Sequence, residues 1–169
     1  MKTTTFALII GIAYLGAGVL GLIPAALLPP PADAPPTTFT VLYGYLLGIF
    51  PVNVLHTAVH LAIGFWGLMA WRRLPDSKVF LRSIAILYGA LAVMGLIPGL
   101  NNVFGFIPLH SHDVWLHAGT AALAAYFGWR SEVHMERRQD TDRRQRMLPV
   151  ARERRLGLAD RRQSAYAGA

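Results

Sequence analysis

Cysteine is absent from the 169-residue chain, so the protein has no disulfide and no thiolate ligand for a metal ion. Charged residues are scarce as well, at 15% of the chain against roughly 25% in soluble domains. Of the 16 Lys and Arg residues, 11 follow residue 129, and 6 of the 9 acidic residues do the same. The long, nearly charge-free part that precedes them is typical of a membrane protein.

Sequence patterns of catalysis are missing too. We find no glycine-rich phosphate loop before a helix, no Ser or Cys nucleophile with a nearby base, and no paired carboxylates in the apolar part. We therefore expect a non-catalytic protein. Any bound metal or haem would depend on His, Asp, Met or backbone oxygen for its ligands.

Four apolar stretches are long enough, or nearly so, to cross the roughly 30 Å hydrocarbon layer of a membrane as helices. They are residues 6–28, 51–71, 79–97 and 109–129. A cleaved signal peptide is the weaker interpretation of the first stretch, which is too long for one.

The cations predict the orientation of these four helices. The loops at 29–44 and 98–112 contain no Lys or Arg, whereas the opposite side carries Lys2, the group Arg72, Arg73, Lys78 and Arg82, and an Arg-rich tail. By the positive-inside rule, both termini are cytoplasmic. We predict a multi-pass protein of the bacterial inner membrane, with a transmembrane domain at 1–130 and a cytoplasmic tail at 131–169.

Two parts of the sequence resemble each other. "YLGAGVLGLIP" at 14–24 matches "YGALAVMGLIP" at 88–98, and "GIFPVNVLH" at 48–56 is similar to "GFIPLHSHDVWLH" at 105–117. The predicted fold is therefore an all-α membrane protein with four transmembrane helices, built as two tandem two-helix repeats in the same orientation.

Smaller features refine this architecture. The segment "FTVLYGYLLGIF" at 39–50 is too short to add a crossing, so we predict an interfacial or shallow re-entrant segment, with residues 102–108 as its shorter counterpart. Small residues at four-residue spacing predict close helix packing. They are Ala13, Ala17 and Gly21 in the first helix, Gly64 in the second, Ala85 and Gly89 in the third, and Ala121 and Ala125 in the fourth.

Two polar pairs interrupt the apolar helices. His56 and His60 are four residues apart and project from one side of the second helix, and Asp113 and His117 have the same spacing in the fourth. Both pairs lie near the outer helix ends, where they could converge. His110 and His112 precede the second pair. Asn53 and Asp113 are also suited to be N-caps of their helices.

These motifs resemble a bacterial family of four-helix membrane proteins, domain of unknown function 4383. The resemblance is carried by "FPVNVLHTAVHLAIG" at 50–64, "YGALAVMGLIP" and "GFIPLHSHDVWLH", and it covers roughly residues 5–130. It implies a four-helix membrane fold, and it implies no activity, cofactor or partner.

Four interpretations of the polar pairs stay open. His56, His60, Asp113 and His117 could bind zinc, copper or non-haem iron, or two of the histidines could be axial ligands of haem. The group could also respond to protons or bind another ligand. Alternatively, it is a structural cluster in which His60 is hydrogen-bonded by His117, Asp113 or a carbonyl. From sequence alone we favour the structural cluster and therefore no cofactor.

The tail repeats a short basic phrase, as in "ERRQ" at 136 and "DRRQ" at 142. Its paired arginines are suited to contact lipid headgroups or an acidic protein subunit. They are Arg137, Arg138, Arg143, Arg144, Arg154, Arg155, Arg161 and Arg162. Nucleic acid is disfavoured as a partner because aromatic residues are almost absent from the tail. We predict an accessory or scaffolding subunit of a larger membrane complex, with a metal- or haem-binding or proton-sensing protein as the alternative.

Overall fold

The computed structural model describes residues 1–130, which are mostly helical, with four α-helices and three short strands between the first two helices. The elements in chain order are α1 (Thr3–Gly21), β1 (Leu27–Leu28), β2 (Gly44–Leu46), β3 (Phe50–Val52), α2 (Val54–Ala70), α3 (Leu74–Gly95) and α4 (His112–Trp129). The eight arginines predicted to contact lipid or a partner, and the separate domain predicted at 131–169, lie outside the described residues.

Two helices in this part of the chain are long and apolar enough to cross a membrane. Helix α1 has 19 residues with a mean hydropathy of 1.8, and α3 has 22 residues with a mean hydropathy of 1.5. Helix α2 is also apolar but has only 17 residues. The 18 residues of α4 include a buried aspartate and two histidines, which lower its hydropathy.

The helix ends differ from the predicted ones where proline acts. The first apolar stretch extends to residue 28, with Pro24 expected to end or bend its helix; α1 ends at Gly21, and Pro24–Ala26 form a turn of 3₁₀ helix that leads into β1. A proline in the helix interior would remove a hydrogen bond and clash with the preceding turn. Helix α3 begins five residues before the predicted start at residue 79, because Pro75 and Asp76 both suit a first helical turn.

The segment predicted as interfacial or re-entrant contributes to a sheet that the sequence did not predict. The three strands pair antiparallel in the order β1-β2-β3, with Leu28 opposite Tyr45 and Tyr45 opposite Pro51. Strand β2 is buried along its whole length. Glycine is required at Gly44, because a Cβ there would lie 2.8 Å from the carbonyl oxygen of Leu28. The sheet lies at the end of the bundle where α1 ends and α2 begins.

The helices pack mainly in two pairs, α1 with α2 and α3 with α4. Glycines bring α1 and α2 together: a Cβ on Gly11 would lie 2.8 Å from the backbone nitrogen of Leu68, and one on Gly18 would lie 2.9 Å from that of Leu61. The predicted packing position Ala13 is wrong, because Ala13 is exposed and the glycines of α1 that contact α2 are Gly11, Gly18 and Gly21.

Several of the other predicted small residues do lie between helices. Gly64 in α2 is buried against the backbone of Leu15 in α1. The side of α2 that carries Gly64 therefore faces another helix. On the second pair, a Cβ on Gly89 would lie 4.0 Å from that of Ala121, which leaves ordinary van der Waals contact between α3 and α4.

The hydrophobic core fills the half of the bundle that lies away from the sheet. Phe6 and Phe127 stack with ring centroids 4.4 Å apart, and Phe80 and Ile84 are fully buried beside them. Towards the sheet this core ends at polar and aromatic side chains, where the candidate site begins.

Candidate functional site

The four residues predicted from the sequence as two polar pairs lie side by side. Helix α2 contributes His56 and His60, and helix α4 contributes Asp113 and His117. One ring nitrogen of each histidine lies within 4.8 Å of those of the other two. The Asp113 Oδ2 atom lies 3.6 Å from His117 Nδ1 and 3.9 Å from His56 Nε2. We refer to these four residues as the His–Asp cluster.

The His–Asp cluster is shielded from the surface of the protein. Relative exposure is 3% for His56, 5% for His60, 1% for Asp113 and 2% for His117. An ionised carboxylate or an imidazolium in such a place needs an opposite charge and hydrogen bonds to be stable. No Lys or Arg of residues 1–130 forms an ion pair with Asp113, so its carboxyl group is either protonated or balanced by a histidine of the cluster or a bound cation.

A backbone contact fixes the orientation of the His56 ring. Its Nδ1 atom lies 3.2 Å from the carbonyl oxygen of Pro51, which can only accept, so Nδ1 carries the proton and donates. In the neutral ring the lone pair is then on Nε2, the nitrogen that faces Asp113. In metal-binding histidines, the ring nitrogen that does not bind the metal usually donates its hydrogen to a carbonyl, a carboxylate or water, as Nδ1 of His56 does here.

Four polar atoms of the cluster have no hydrogen-bond partner among the described residues. They are both ring nitrogens of His60, Nδ1 of His117 and Oδ2 of Asp113. Buried polar side chains are nearly always hydrogen-bonded, so four such atoms in one place need an explanation. The sequence predicted that His117, Asp113 or a carbonyl would hydrogen-bond His60, and the structure has no such bond.

Two tyrosines and a threonine form the wall of the cluster on the core side. The ring of Tyr14 contacts His60 edge to face at 5.2 Å, and that of Tyr88 contacts His117 at 4.6 Å. The two tyrosines also touch each other, and the Tyr14 hydroxyl donates to Thr120 Oγ1 at 3.3 Å. None of these three residues had a role predicted from the sequence, although both tyrosines begin the repeated segments at 14–24 and 88–98.

The two predicted helix caps have different outcomes. Asn53 is the N-cap of α2, and its Oδ1 atom accepts a hydrogen bond of 3.0 Å from the His56 backbone N–H. Asp113 was expected in the same role, but Ser111 occupies the N-cap position of α4 and Asp113 lies inside the first turn. Its carboxylate points to the histidines, and it is favourably placed near the positive end of the helix dipole.

The two histidines before α4 differ from each other. His110 is buried with its Nε2 atom unpartnered, and its ring lies 6.1 Å from that of Tyr45 in β2. Burial lowers the pKa of the His110 imidazole below its usual 6.5. His112 is exposed, and its Nδ1 atom lies 3.2 Å from the hydroxyl of Ser111. Neither belongs to the group whose ligand atoms converge.

The donor set and its spacing suit a single metal ion. Zinc binds imidazole nitrogen and carboxylate oxygen at about 2.0–2.2 Å, which places the ligand atoms of a tetrahedral site about 3.3 Å apart. The two contacts of Asp113, at 3.6 and 3.9 Å, are close to this value, whereas the ring nitrogens of the three histidines are separated by up to 4.8 Å and would have to move together to bind one ion. Haem fits less well, because Tyr14 and Tyr88 already pack against the rings of His60 and His117, where the flat macrocycle would have to lie.

Comparisons with known proteins identify a family for this chain. Neither a curated protein nor a solved structure matches it. Residues 4–130 match the family described as "Domain of unknown function (DUF4383)", which is three quarters of the chain and includes the whole His–Asp cluster. The chain belongs to this DUF4383 family.

Proposed function

We propose that this chain is a four-span membrane protein that binds one divalent transition-metal ion at the His–Asp cluster. The observation that carries the proposal is the set of buried nitrogen and oxygen atoms that lie near one another without hydrogen-bond partners. Beside them, Nδ1 of His56 donates its hydrogen to the Pro51 carbonyl, which leaves Nε2 with a free lone pair. A metal ion can bind Oδ2 of Asp113, Nδ1 of His117 and one ring nitrogen of His60 at the same time, whereas a shared proton joins only one donor to one acceptor.

The surface of the helices supports the membrane part of the proposal. Helices α1 and α2 contain no Lys, Arg, Asp or Glu, and the only one in α4 is the buried Asp113. Large apolar side chains are exposed instead on all four helices, including Ile12, Phe65, Ile86 and Trp115. Apolar residues outside and polar residues inside are the arrangement that a lipid environment selects.

The order of the helices supports the proposed topology. With α1 packed on α2 and α3 on α4, the chain alternates in direction, so the Arg72–Arg73 turn and Lys2 lie at the same end. The sheet and the 98–111 loop, which contain no Lys or Arg, lie at the other end. We therefore propose cytoplasmic termini, an inner-membrane location, and two tandem two-helix units related as parallel repeats.

The donor set favours zinc among the common metals. Three imidazoles and one carboxylate make a closed set of four nitrogen and oxygen ligands, which is typical of a structural zinc site, while catalytic zinc sites keep one position open. Copper(I) prefers sulfur ligands, and the described cluster contains none.

The proposed metal would join the two helix pairs. His56 and His60 belong to the first pair, and Asp113 and His117 belong to the second. Direct packing between the pairs is limited compared with packing inside each pair. A metal bound by α2 and α4 would therefore stabilise the assembly of the two units, as metal binding contributes directly to folding in other small proteins.

The test is metal binding by the purified full chain. After treatment with a chelator, the protein should bind one Zn²⁺ per chain, and Co²⁺ should give the visible absorption of a tetrahedral nitrogen and oxygen site. His117→Ala should raise the Kd for both ions by about 100-fold, and the matched variant His112→Ala should keep the wild-type Kd. Less than 0.1 equivalent of metal in the wild type, on the order of background, would contradict the proposal.

The absence of cysteine makes the topology directly testable. Single cysteines introduced as Lys2→Cys and Asp33→Cys should react with a membrane-impermeant maleimide from opposite sides of the membrane. A cysteine placed at Ala169 should react from the same side as one at Lys2. Labelling of residues 2 and 169 from opposite sides would refute the proposal of four crossings.

The paired arginines of the tail support a second proposal, that the protein is also an accessory or scaffolding subunit that binds lipid headgroups or an acidic subunit. A chain that ends at residue 130 should then lose the subunits that co-purify with the full chain in mild detergent. Unchanged co-purification would contradict this role while leaving the metal proposal intact.

A further inference from the structure

The His–Asp cluster lies nearer to the sheet end of the bundle than to the other end. His60 is six residues from the start of α2 and ten from its end, which corresponds to about 9 Å and about 15 Å along the helix axis. His117 is twelve residues from the end of α4, or about 18 Å. The path towards the sheet is therefore the shorter one.

The longer path is closed by apolar side chains. Below Tyr14 and Tyr88, the space between the helices is filled by a cluster of buried residues whose members are fully or almost fully inaccessible: Phe6, Ala7, Ile10, Ile63, Ala70, Phe80, Leu81, Ile84, Ala124 and Phe127. A divalent ion would lose its hydration there without gaining any ligand, which is prohibitively costly.

The shorter path contains polar groups. His110 is buried with a free Nε2 atom, and its ring lies beside Tyr45. Tyr45 is paired with Pro51 in the sheet, and the Pro51 carbonyl accepts the His56 hydrogen bond. Tyr45 and Pro51 thus link His110 to His56 of the cluster, and His110 places an imidazole with an unpartnered nitrogen on this side of the cluster.

One side chain holds the cover of this path in place. The Nδ2 group of Asn53 donates to the carbonyl oxygen of Phe106 at 2.7 Å and to that of Phe39 at 3.1 Å, while Oδ1 caps α2 at His56. Asn53 is fully buried. It therefore ties the loop before β2 and the loop before α4 to the helix that carries two of the cluster's histidines.

The loop before α4 is also strained. Val103, Phe104 and Ser111 have positive φ angles of 46°, 59° and 62°, a backbone region that non-glycine residues rarely occupy. Such a conformation persists only where surrounding contacts impose it. Loss of the Asn53 contact to Phe106 should therefore release this loop.

We propose that the metal ion enters and leaves only through the sheet end, past His110, and that Asn53 sets the exchange rate by holding the two covering loops on α2. The inference rests on the proposed metal site. In the proposed topology, the site exchanges divalent metal with the non-cytoplasmic solution and not with the cytoplasm.

The test uses membrane vesicles that contain the full chain loaded with Co²⁺. EDTA, which does not cross the membrane, should bleach the cobalt absorption in right-side-out vesicles and leave it intact in inverted ones. Bleaching in inverted vesicles alone, or at equal rates in both, would overturn the proposed route. Absence of any cobalt signal would instead overturn the metal site itself, so the two failures are distinguishable.

A matched pair of variants tests the role of Asn53. Asn53→Ser can still cap α2 but loses both donors to the covering loops, so cobalt release in right-side-out vesicles should accelerate by about tenfold or more at unchanged stoichiometry. Ser77→Ala removes a buried hydrogen bond of 2.9 Å to the Ala70 carbonyl at the opposite end, and release should stay at the wild-type rate. Equal release rates for Asn53→Ser and the wild type would refute the role of Asn53, and equal acceleration in both variants would show general loosening.

Discussion

Replacement of His60 by leucine separates a metal site from a structural hydrogen-bonded cluster. The two explanations predict opposite effects on the metal-free protein. In a structural cluster, the imidazole contributes hydrogen bonds, and its loss is destabilising. In the described structure, both ring nitrogens of His60 are buried and unpartnered, so a side chain of similar size without polar atoms should be tolerated at least as well.

The magnitude follows from the cost of an unsatisfied polar group. A buried donor or acceptor without a partner costs about 1–3 kcal/mol, so metal-free His60→Leu should be more stable than the wild type by an amount of about this size. With metal bound, the wild type should instead be more stable than His60→Leu. At a free concentration of 100 times Kd, the wild type gains about 2.7 kcal/mol.

The variant should gain much less from metal. Structural zinc binding is worth about 10–16 kcal/mol for four ligands, so loss of one ligand costs about 3 kcal/mol, or about 100-fold in Kd. At the same metal concentration, the variant then gains only about 0.4 kcal/mol. The assay is thermal unfolding in detergent, with EDTA and then with Zn²⁺, and His112→Leu serves as the control at an exposed histidine.

One combination of results would refute this reasoning. If His60→Leu is clearly less stable than the wild type in EDTA, and if the wild type does not respond to Zn²⁺, the ring nitrogens of His60 must be hydrogen-bonded in the metal-free protein. The structural cluster favoured by the sequence would then be the correct interpretation.

Three further results are expected. Gly11→Ala should destabilise the protein by about 1–3 kcal/mol, because a Cβ there would lie 2.8 Å from the Leu68 nitrogen, while Gly16→Ala, with no atom within 4 Å, should be neutral in the same unfolding assay. Because the pKa of His110 is lowered, the unfolded chain binds a proton that the folded chain does not as pH falls below 6.5. Stability should therefore decrease in acid, and less steeply in His110→Gln. Asp113→Asn should weaken Co²⁺ binding by about tenfold or more with unchanged circular dichroism.

The helices and the pairing of polar residues could be predicted from sequence because both follow from local periodicity. Apolar runs of about 20 residues predict helices, and the spacing of four residues places His56 with His60 and Asp113 with His117 on single faces. The internal similarity then places both pairs at one end of the bundle. The sequence therefore predicted that the two pairs could converge.

The sheet could not be predicted in this way. Its strands have only two or three residues each, and β3 begins with Phe50 and Pro51, which carry no alternating pattern. Such short strands form because tertiary packing aligns them. The two loops that cover the cluster could not be predicted either. Asn53 holds them through hydrogen bonds to Phe39 and Phe106, which are distant from it in sequence.

The error at Ala13 has a similar origin. A spacing of four residues selects Ala13, Ala17 and Gly21. The residues that contact α2 are instead Gly11, Gly18 and Gly21, which are seven and three residues apart and also lie on one face of a helix. Which of two neighbouring stripes faces the partner is decided by where the glycines of α2 lie. Gly64 and Gly67 of α2 meet Leu15 and Gly11, and this leaves Ala13 exposed.

The position of the cluster also gives a reason for the two helix pairs to associate. Each pair on its own would present two ionisable groups to lipid, His56 and His60 in the first and Asp113 and His117 in the second, and such exposure is destabilising in hydrocarbon. Packing the pairs together hides all four groups, although hydrophobic burial contributes little to helix association inside a membrane. Association without metal leaves both ring nitrogens of His60 unpaired, and association around a metal ion would give one of them a partner. The metal would therefore complete an interface that the polar residues require.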